Sequence, residues 1–140
     1  MTDTYYKDHW VEIESERFDR YLEMFKWSDA NRPFIEPAKI CAGESVVELG
    51  CGPGFLSCEM ANWVGSTGKV DGLDINEKFI QHGRSLAQER DLDDVVTFHL
   101  VTNEALPFES ESKDCVVAKN VLLYVDDPEA SFIEARRVLR

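Results

Sequence analysis

The sequence predicts an α/β fold: a parallel sheet of about four strands with helices on both faces, preceded by a helical extension. From residue 44 onward, short apolar segments alternate with segments of helical periodicity. This alternation is typical of parallel sheets with right-handed crossovers. A glycine-rich loop follows the first apolar segment, and an acidic residue ends the second. We therefore expect a doubly wound sheet that binds a ligand at the carboxyl ends of its strands.

The N-terminal part, residues 1–43, is predicted to be a helical extension or lid. Residues 10–27 predict one amphipathic helix with an apolar face that repeats at helical spacing. That face consists of Phe18, Tyr21, Leu22 and Phe25. An aromatic cluster comes just before it: Tyr5, Tyr6, His9 and Trp10. The cluster either closes over a cofactor or covers the end of the sheet.

The second part, residues 44–140, carries the strands and helices of the sheet domain. Strands are predicted over residues 46–49, 69–75, 95–101 and 115–121, in the order 3-2-1-4. Helices are predicted over residues 55–64, 76–90 and from 128 onward. Gly65 ends the first helix, Asn76 caps the second, and Asp127 with Pro128 starts the third.

The composition excludes several classes of protein. A net charge of −12 and a pI of about 4.6 disfavour binding to a nucleic-acid backbone. The N-terminus has no apolar core of a signal peptide, and we expect no membrane span. The four cysteines form no CxxC pair, so we expect reduced thiols in a cytoplasmic protein and no metal site.

The loop ELGCGPG carries Gly50, Gly52 and Gly54 directly after the first strand. Its spacing differs from the dinucleotide fingerprint Gly-x-Gly-x-x-Gly. Asp74 ends the second strand, where an acid can accept hydrogen bonds from two ribose hydroxyls. The alternative role for Asp74 is a helix-capping acid. The pattern favours a ligand that contains a ribose.

The charges around the loop argue against a phosphate. Glu48 lies directly before the loop, and no Lys or Arg occurs between residues 40 and 68. A pyrophosphate favours a helix N-terminus without nearby carboxylates. A positively charged nucleoside fits better, and S-adenosylmethionine has a ribose, a sulfonium and an ammonium but no phosphate. A nicotinamide dinucleotide remains the alternative at this point.

Residues 44–140 resemble class I S-adenosylmethionine-dependent methyltransferases, especially the ubiquinone/menaquinone-type enzymes that act on small molecules. The resemblance is carried by four stretches: VVELGCGPG, GLDIN, EALPFESESKDCVVAKNVLLYVDDP and EARRVLR. It implies a Rossmann-like fold and S-adenosyl-L-methionine as cofactor. Similar enzymes continue with further strands, so this domain is expected to be incomplete at its C-terminus.

The resemblance also implies cofactor contacts for individual residues. The loop under the methionine and ribose would comprise Glu48, Gly50, Cys51, Gly52 and Gly54. Asp74 would bind the ribose, Ile75 would pack on the adenine, and Asn120 would lie near the methionine. The adenine amino group would meet residues from the segment Thr102, Asn103 and Glu104. Thr102 stands where the family often has an Asp, so Asn103 is the alternative partner.

These expectations combine into methyl transfer to a small-molecule acceptor. Methyl transfer from a sulfonium needs alignment and a dry site, and it needs no metal. The sequence indicates neither a catalytic base nor the acceptor atom, and Tyr124 either faces the substrate or only packs. The alternatives are a non-catalytic cofactor-binding module, a fragment of a longer methyltransferase and an NAD-dependent oxidoreductase. The open apolar edge of the fourth strand predicts a possible homodimer.

Overall fold

The computed structural model describes residues 5–140, with side chains from Asp8 onward. Six α-helices are present in this range: α1 (Tyr5–Val11), α2 (Ser15–Met24), α3 (Arg32–Ile35), α4 (Phe55–Val64), α5 (Glu77–Glu89) and α6 (Pro128–Val138). The strands are β1 (Ser45–Leu49), β2 (Lys69–Asp74), β3 (Val96–Leu100) and β4 (Cys115–Ala118). Single 3-10 turns at Asp29–Asn31 and Glu36–Ala38 flank α3. The side chains of Tyr5 and Tyr6, part of the predicted aromatic cluster, lie outside the described residues.

The four strands form one parallel sheet in the order β3-β2-β1-β4, so the predicted fold and strand order are confirmed. Leu49 pairs with Leu73 on one side and with Ala118 on the other. This register aligns the carboxyl ends of β1, β2 and β4. The loops that follow these strands therefore open at one edge of the sheet.

The sheet has a core on each face because successive side chains of a strand point to opposite sides. Val46 packs in the larger cluster with α4 and α5, whereas Val47 packs in the smaller one with Leu106 and Val138. Both valines are fully buried. The predicted α/β layering follows from this alternation. No helix in the described range is long and apolar enough to cross a membrane.

The prediction of strand over residues 115–121 is wrong at its carboxyl end, where β4 stops at Ala118. Asn120 has a φ of 54°, in the left-handed region that few residues other than glycine adopt. This conformation turns the chain out of the sheet. Val121 consequently leaves the strand and packs against the glycine loop.

The prediction of a single helix over residues 10–27 is also wrong, since α1 ends at Val11 and α2 begins at Ser15. Ile13, in the break, is 4% exposed and turns into the protein. A helix end needs partners for its last carbonyl groups. The Arg17 guanidinium donates to the carbonyls of His9 and Glu12 at 2.8 and 2.9 Å. Burial of one side chain and capping by another thus favour a break over a continuous helix.

The outer edge of β4 is paired at its beginning. Lys113 forms a parallel bridge with Leu139, and the Arg140 amide donates to the Lys113 carbonyl at 3.0 Å. Asp114 accepts from the Ser45 amide and pairs with Arg140. Within residues 5–140, the ladder partner of Cys115–Ala118 is β1 alone.

Helix α5 lies directly on the glycine loop and on β3. A Cβ at Gly83 would lie 2.8 Å from the Phe98 ring, and a Cβ at Gly54 would lie 2.8 Å from the Gly83 Cα. Such distances are too short for carbon atoms. The backbone of α5 can therefore approach the loop this closely only because both positions lack a side chain.

Replacing Gly83 by Ala tests this packing. An Ala normally stabilises a helix interior by about 1 kcal/mol over Gly. Here we expect the free energy of unfolding to fall by about 1–3 kcal/mol, because the added methyl group overlaps the Phe98 ring. Ser85→Ala, at an exposed position of the same helix, is the control and should change it by less than about 0.5 kcal/mol. Urea titrations that found Gly83→Ala as stable as the wild type would refute the close approach.

Candidate functional site

A cavity of about 640 Å³ opens at the carboxyl ends of the strands. Pockets of this size are typical of sites for small molecules and cofactors. The loops after β1, β2, β3 and β4 line it, and α2 borders it from the N-terminal part. The structure brings together all but one of the predicted cofactor residues: Glu48, Gly50, Cys51, Gly52, Asp74, Ile75, Thr102, Asn103, Glu104 and Asn120. The exception is Gly54, which packs on Gly83 and Phe98 instead.

The structure explains in different ways why each of the three loop positions is a glycine. All three have positive φ angles. A Cβ at Gly50 would overlap the side chain of Val121, and one at Gly54 would overlap α5. At Gly52 the nearest atom to such a Cβ is in the Phe25 ring, 4.0 Å away. Gly52 is therefore the glycine whose surroundings leave room for a ligand.

The Asp74 carboxylate connects the glycine loop to the end of β2. One of its oxygens accepts from the Gly52 amide at 2.8 Å, and the other accepts from the Asn76 amide at 2.9 Å. Burial raises the pKa of Asp74, and these backbone donors oppose the rise. Each carboxylate oxygen has a further lone pair. Asp74 can thus organise the loop and still accept hydrogen bonds from a ligand.

Glu48 is a buried carboxyl group on the floor of the cavity, with 4% of its surface exposed. Ser57 of α4 donates to it at 2.5 Å. The pKa of Glu48 is raised to about 8, mainly by burial; the hydrogen bond from Ser57 opposes the shift, and the nearby Asp74 carboxylate contributes to it. Glu48 is therefore largely protonated at neutral pH, and a cationic ligand beside it would favour its ionised form.

Two more side chains support this floor and were missed by the sequence reasoning. Ser57 is fully buried, and a Cβ at Gly72 would lie 2.8 Å from its oxygen. His82 of α5 donates its Nδ1 proton to the Pro53 carbonyl at 2.6 Å. The periodicity of a helix does not reveal which loop the helix contacts, so the sequence offered no signal for either residue.

Side chains of α6 form hydrogen bonds with the backbone of the segment that follows β3. Arg137 donates to the carbonyls of Leu106 and Phe108 at 3.0 and 2.8 Å. Glu134 accepts from the Leu106 amide at 2.8 Å and also pairs with Arg137. These bonds fix the chain around residues 106–108 against α6.

The three predicted adenine-side residues have different exposures and partners. Thr102 and Asn103 are exposed, and the Asn103 side chain accepts from the Ala105 amide at 3.0 Å. Glu104 accepts from the Asp127 amide at 3.3 Å, which helps to fix the start of α6. All three residues line the cavity, but the side chains of Asn103 and Glu104 are already hydrogen-bonded to the backbone.

An aromatic wall closes the cavity on the side of α2. The Trp10 ring stacks on Tyr21 at 4.9 Å between centroids and meets the edge of Tyr124 at 5.3 Å. Phe25 stacks on Tyr21 at 5.4 Å. The helical spacing of Tyr21 and Phe25 predicted an apolar face on the N-terminal helix. In the structure, Tyr21 and Phe25 line the cavity. Phe25 accordingly remains 39% exposed.

His9 does not line the cavity. Its Nδ1 lies 3.0 Å from Arg17, which can only donate, so Nδ1 accepts and Nε2 faces the Tyr21 hydroxyl at 3.2 Å. His9 thus joins α1 to α2.

Comparison with known proteins shows which family the sheet domain resembles. A family model described as a methyltransferase domain matches residues 40–140. The ubiquinone/menaquinone biosynthesis C-methyltransferase of Hahella chejuensis is 36% identical over 106 residues, covering 76% of this chain and 43% of that protein. An uncharacterized 37.1 kDa transposon protein of Streptomyces fradiae is 33% identical over 124 residues, covering 86% of this chain and 35% of that protein. The chain thus spans less than half the length of these relatives.

Solved structures share the fold. A SAM-dependent methyltransferase from Aquifex aeolicus superposes with a TM-score of 0.77 at 16% identity, over 92% of this chain and 69% of that one. The geranyl diphosphate C-methyltransferase of Streptomyces coelicolor, solved with S-adenosyl-L-homocysteine, gives a TM-score of 0.72 at 24% identity, over 80% and 42%.

The raised pKa of Glu48 predicts a pH-dependent stability. In the unfolded chain a Glu ionises near about pH 4.3, so between that pH and about 8 the folded state holds a proton that the unfolded state has lost. The free energy of unfolding should then fall with rising pH, by up to about 1.4 kcal/mol per pH unit from this group.

The variant Glu48→Gln tests this pH dependence, because it keeps an acceptor for Ser57 and removes the titration. We expect the stability of this variant relative to the wild type to grow between about pH 5 and about pH 8 and then to level off. Urea unfolding measures it, and a difference that does not change with pH would contradict the shift.

Proposed function

The chain belongs to the methyltransferase-domain family, and from this premise we propose that it transfers a methyl group from S-adenosyl-L-methionine to a small-molecule acceptor. Membership confirms the resemblance to class I S-adenosylmethionine-dependent methyltransferases and the cofactor predicted with it. It disfavours the nicotinamide-dependent alternative. Because the chain spans less than half of its curated relatives, the activity of the whole protein is part of the proposal.

The observation that carries the proposal is a pair of carboxyl groups beside the open backbone of Gly52, of which Glu48 is buried and Asp74 is half-buried. Glu48 and Asp74 both line the cavity. A pyrophosphate there would meet two acidic groups, whereas a sulfonium or ammonium group would be stabilised by them. This arrangement supports a cofactor with positive charge, a ribose and no phosphate.

Individual residues of this chain fit the parts of that cofactor. We infer that Asp74 accepts from the ribose hydroxyls, that Glu48 faces the positively charged end, and that Gly52 lets the ligand approach the loop. Ile75, Thr102 and Asn103 would border the adenine, and Asn120 would lie on the methionine side. The cofactor supplies an already activated methyl group, so the protein contributes alignment and exclusion of water.

The acceptor is proposed to be a small molecule with an apolar part. Three apolar side chains at the cavity are substantially exposed: Met24 at 66%, Phe25 at 39% and Leu123 at 66%. Exposed apolar surface of this kind commonly marks a binding site. The names of the relatives agree with this class, since they refer to ubiquinone/menaquinone biosynthesis and to geranyl diphosphate. No general base is assigned, and Tyr124 is the side chain of the wall from which a substrate contact is proposed.

The division of the chain and its location belong to the same proposal. Residues 1–43 act as an extension that covers the cavity, which the position of Phe25 near Gly52 supports. Residues 44–140 bind the cofactor. All four cysteines are free, which supports the cytoplasm as the proposed location.

The role of Asp74 gives the first test of the proposed function. Asp74→Ala should weaken binding of S-adenosylhomocysteine by about 1.5–3 kcal/mol, because the ribose loses an ionised acceptor and the Gly52 amide loses its partner. Calorimetry measures the affinity. Asp93→Ala, an exposed position at the opposite end of the sheet, is the matched control and should bind as the wild type does. Equal affinity of Asp74→Ala and wild type would contradict the assignment.

Activity is tested with labelled S-adenosylmethionine and a panel of small apolar acceptors. Label in an acceptor supports the enzyme, whereas tight cofactor binding without any transfer favours the non-catalytic module. Binding of NAD in place of S-adenosylhomocysteine would overturn the proposal.

A homodimer through the outer edge of β4 is the proposed assembly, since an apolar edge strand favours pairing with another chain. Light scattering should give the mass of a dimer. Ala118→Lys adds a charge at an exposed position of that edge and should shift the mass to a monomer. A monomeric wild type at high concentration would count against this interface.

A further inference from the structure

Asn76 joins the turn that carries Asp74 to the N-terminal part of the chain. The residue is 2% exposed, and its side-chain oxygen accepts from the Phe79 amide at 2.9 Å, which caps α5. Its backbone amide donates to the Asp74 carboxylate at 2.9 Å. Its side-chain nitrogen donates to the carbonyls of Trp10 and Val11, at 2.9 and 3.2 Å. The buried residue Asn76 therefore contacts both the turn that carries Asp74 and the C-terminal end of α1.

A cap alone does not require this arrangement. Capping uses the side-chain oxygen, and Ser, Asp or Thr would supply it as well as Asn. Of these side chains, only that of Asn also carries an NH₂ group, which donates two further hydrogen bonds. They satisfy carbonyl groups at the C-terminus of α1 that have no partner within the helix. The choice of Asn at this position is explained by its contact with α1.

The attached segment, residues 8–27, forms the aromatic wall of the cavity. We call it the entrance segment. Trp10, whose carbonyl Asn76 holds, packs between Tyr21 and Tyr124. A second attachment lies nearby, where Phe18 stacks on Phe79 of α5 at 5.4 Å. Phe18 itself does not line the cavity.

We propose that Asn76 is a positioning residue that couples cofactor binding to the docking of the entrance segment. This inference rests on the proposed function, because the ligand is the cofactor. A ligand that binds the closed cavity better than the open one has an apparent affinity that scales with the docked fraction. Asn76 raises that fraction through its two bonds to α1. By reciprocity, a bound cofactor stabilises the docked segment.

The variant Asn76→Ser isolates the coupling. Its hydroxyl still caps α5, and its backbone amide still reaches Asp74, but the two donors to Trp10 and Val11 are lost. We expect the dissociation constant of S-adenosylhomocysteine to rise between about fivefold and about 150-fold, the range for two neutral hydrogen bonds. We also expect faster tryptic cleavage at the exposed Arg20 and Lys26, and weaker protection of these sites by the ligand.

Tryptic cleavage distinguishes positioning from a direct effect on the Asp74 turn. Phe18→Ala loosens the same segment at a residue outside the cavity lining, so it should also weaken binding. If both residues act through docking, the loss of affinity in each variant should be accompanied by faster cleavage at Arg20 and Lys26, whereas a direct effect on the Asp74 turn would weaken binding without exposing these sites. Phe34→Ala, an exposed phenylalanine of the N-terminal part at 73%, is the matched control and should leave the affinity unchanged.

The outcomes separate the two proposals. Wild-type protein that fails to bind S-adenosylhomocysteine overturns the proposed function. Wild-type binding with an unchanged affinity of Asn76→Ser and Phe18→Ala overturns the coupling alone. Weaker binding by Asn76→Ser with unchanged tryptic cleavage at Arg20 and Lys26 also overturns it, because Asn76 would then act through Asp74 only. Thermal unfolding of each variant confirms that the fold is intact before binding is compared.

Discussion

The hydrogen bond from the Gly52 amide to the Asp74 carboxylate is the interaction on which the site depends. It connects the loop after β1 to the end of β2, two strands whose register already places their carboxyl ends side by side. The half-buried carboxylate of Asp74 would be costly without donors. The amides of Gly52 and Asn76 supply them, so the same two bonds stabilise the acid and fix the loop. The position of the cavity follows from this connection.

Packing on two sides holds the shape of the glycine loop. Helix α5 presses on it from one side through Gly83 and Gly54, and Val121 packs on Gly50 from the other. Gly52 alone is left open towards the cavity. The loop is thus largely pre-organised, which lowers the entropic cost of ordering it when a ligand binds. The remaining freedom of the site lies in the N-terminal segment that Asn76 and Phe79 attach to it.

Much of this arrangement could be predicted from the sequence because it depends on local patterns. The alternation of strands and helices predicted the parallel sheet, and the glycines with Asp74 predicted a ligand site at its carboxyl edge. The other predicted lining residues, such as Thr102 and Asn120, came from the resemblance to methyltransferases. Features that depend on distant contacts could not be predicted in the same way. The break between α1 and α2 results from the Arg17 caps and the burial of Ile13, and the end of β4 results from the left-handed Asn120. The aromatic stripe of α2 was recognised as apolar, but periodicity does not distinguish a cavity from a core.

The crystal structure of the full chain with S-adenosylhomocysteine is the most direct measurement. The account predicts that the ribose hydroxyls donate to the Asp74 carboxylate, with the ligand passing over Gly52 and its amino-acid end beside Glu48. A ligand bound elsewhere, or a ribose with no contact to Asp74, would contradict it.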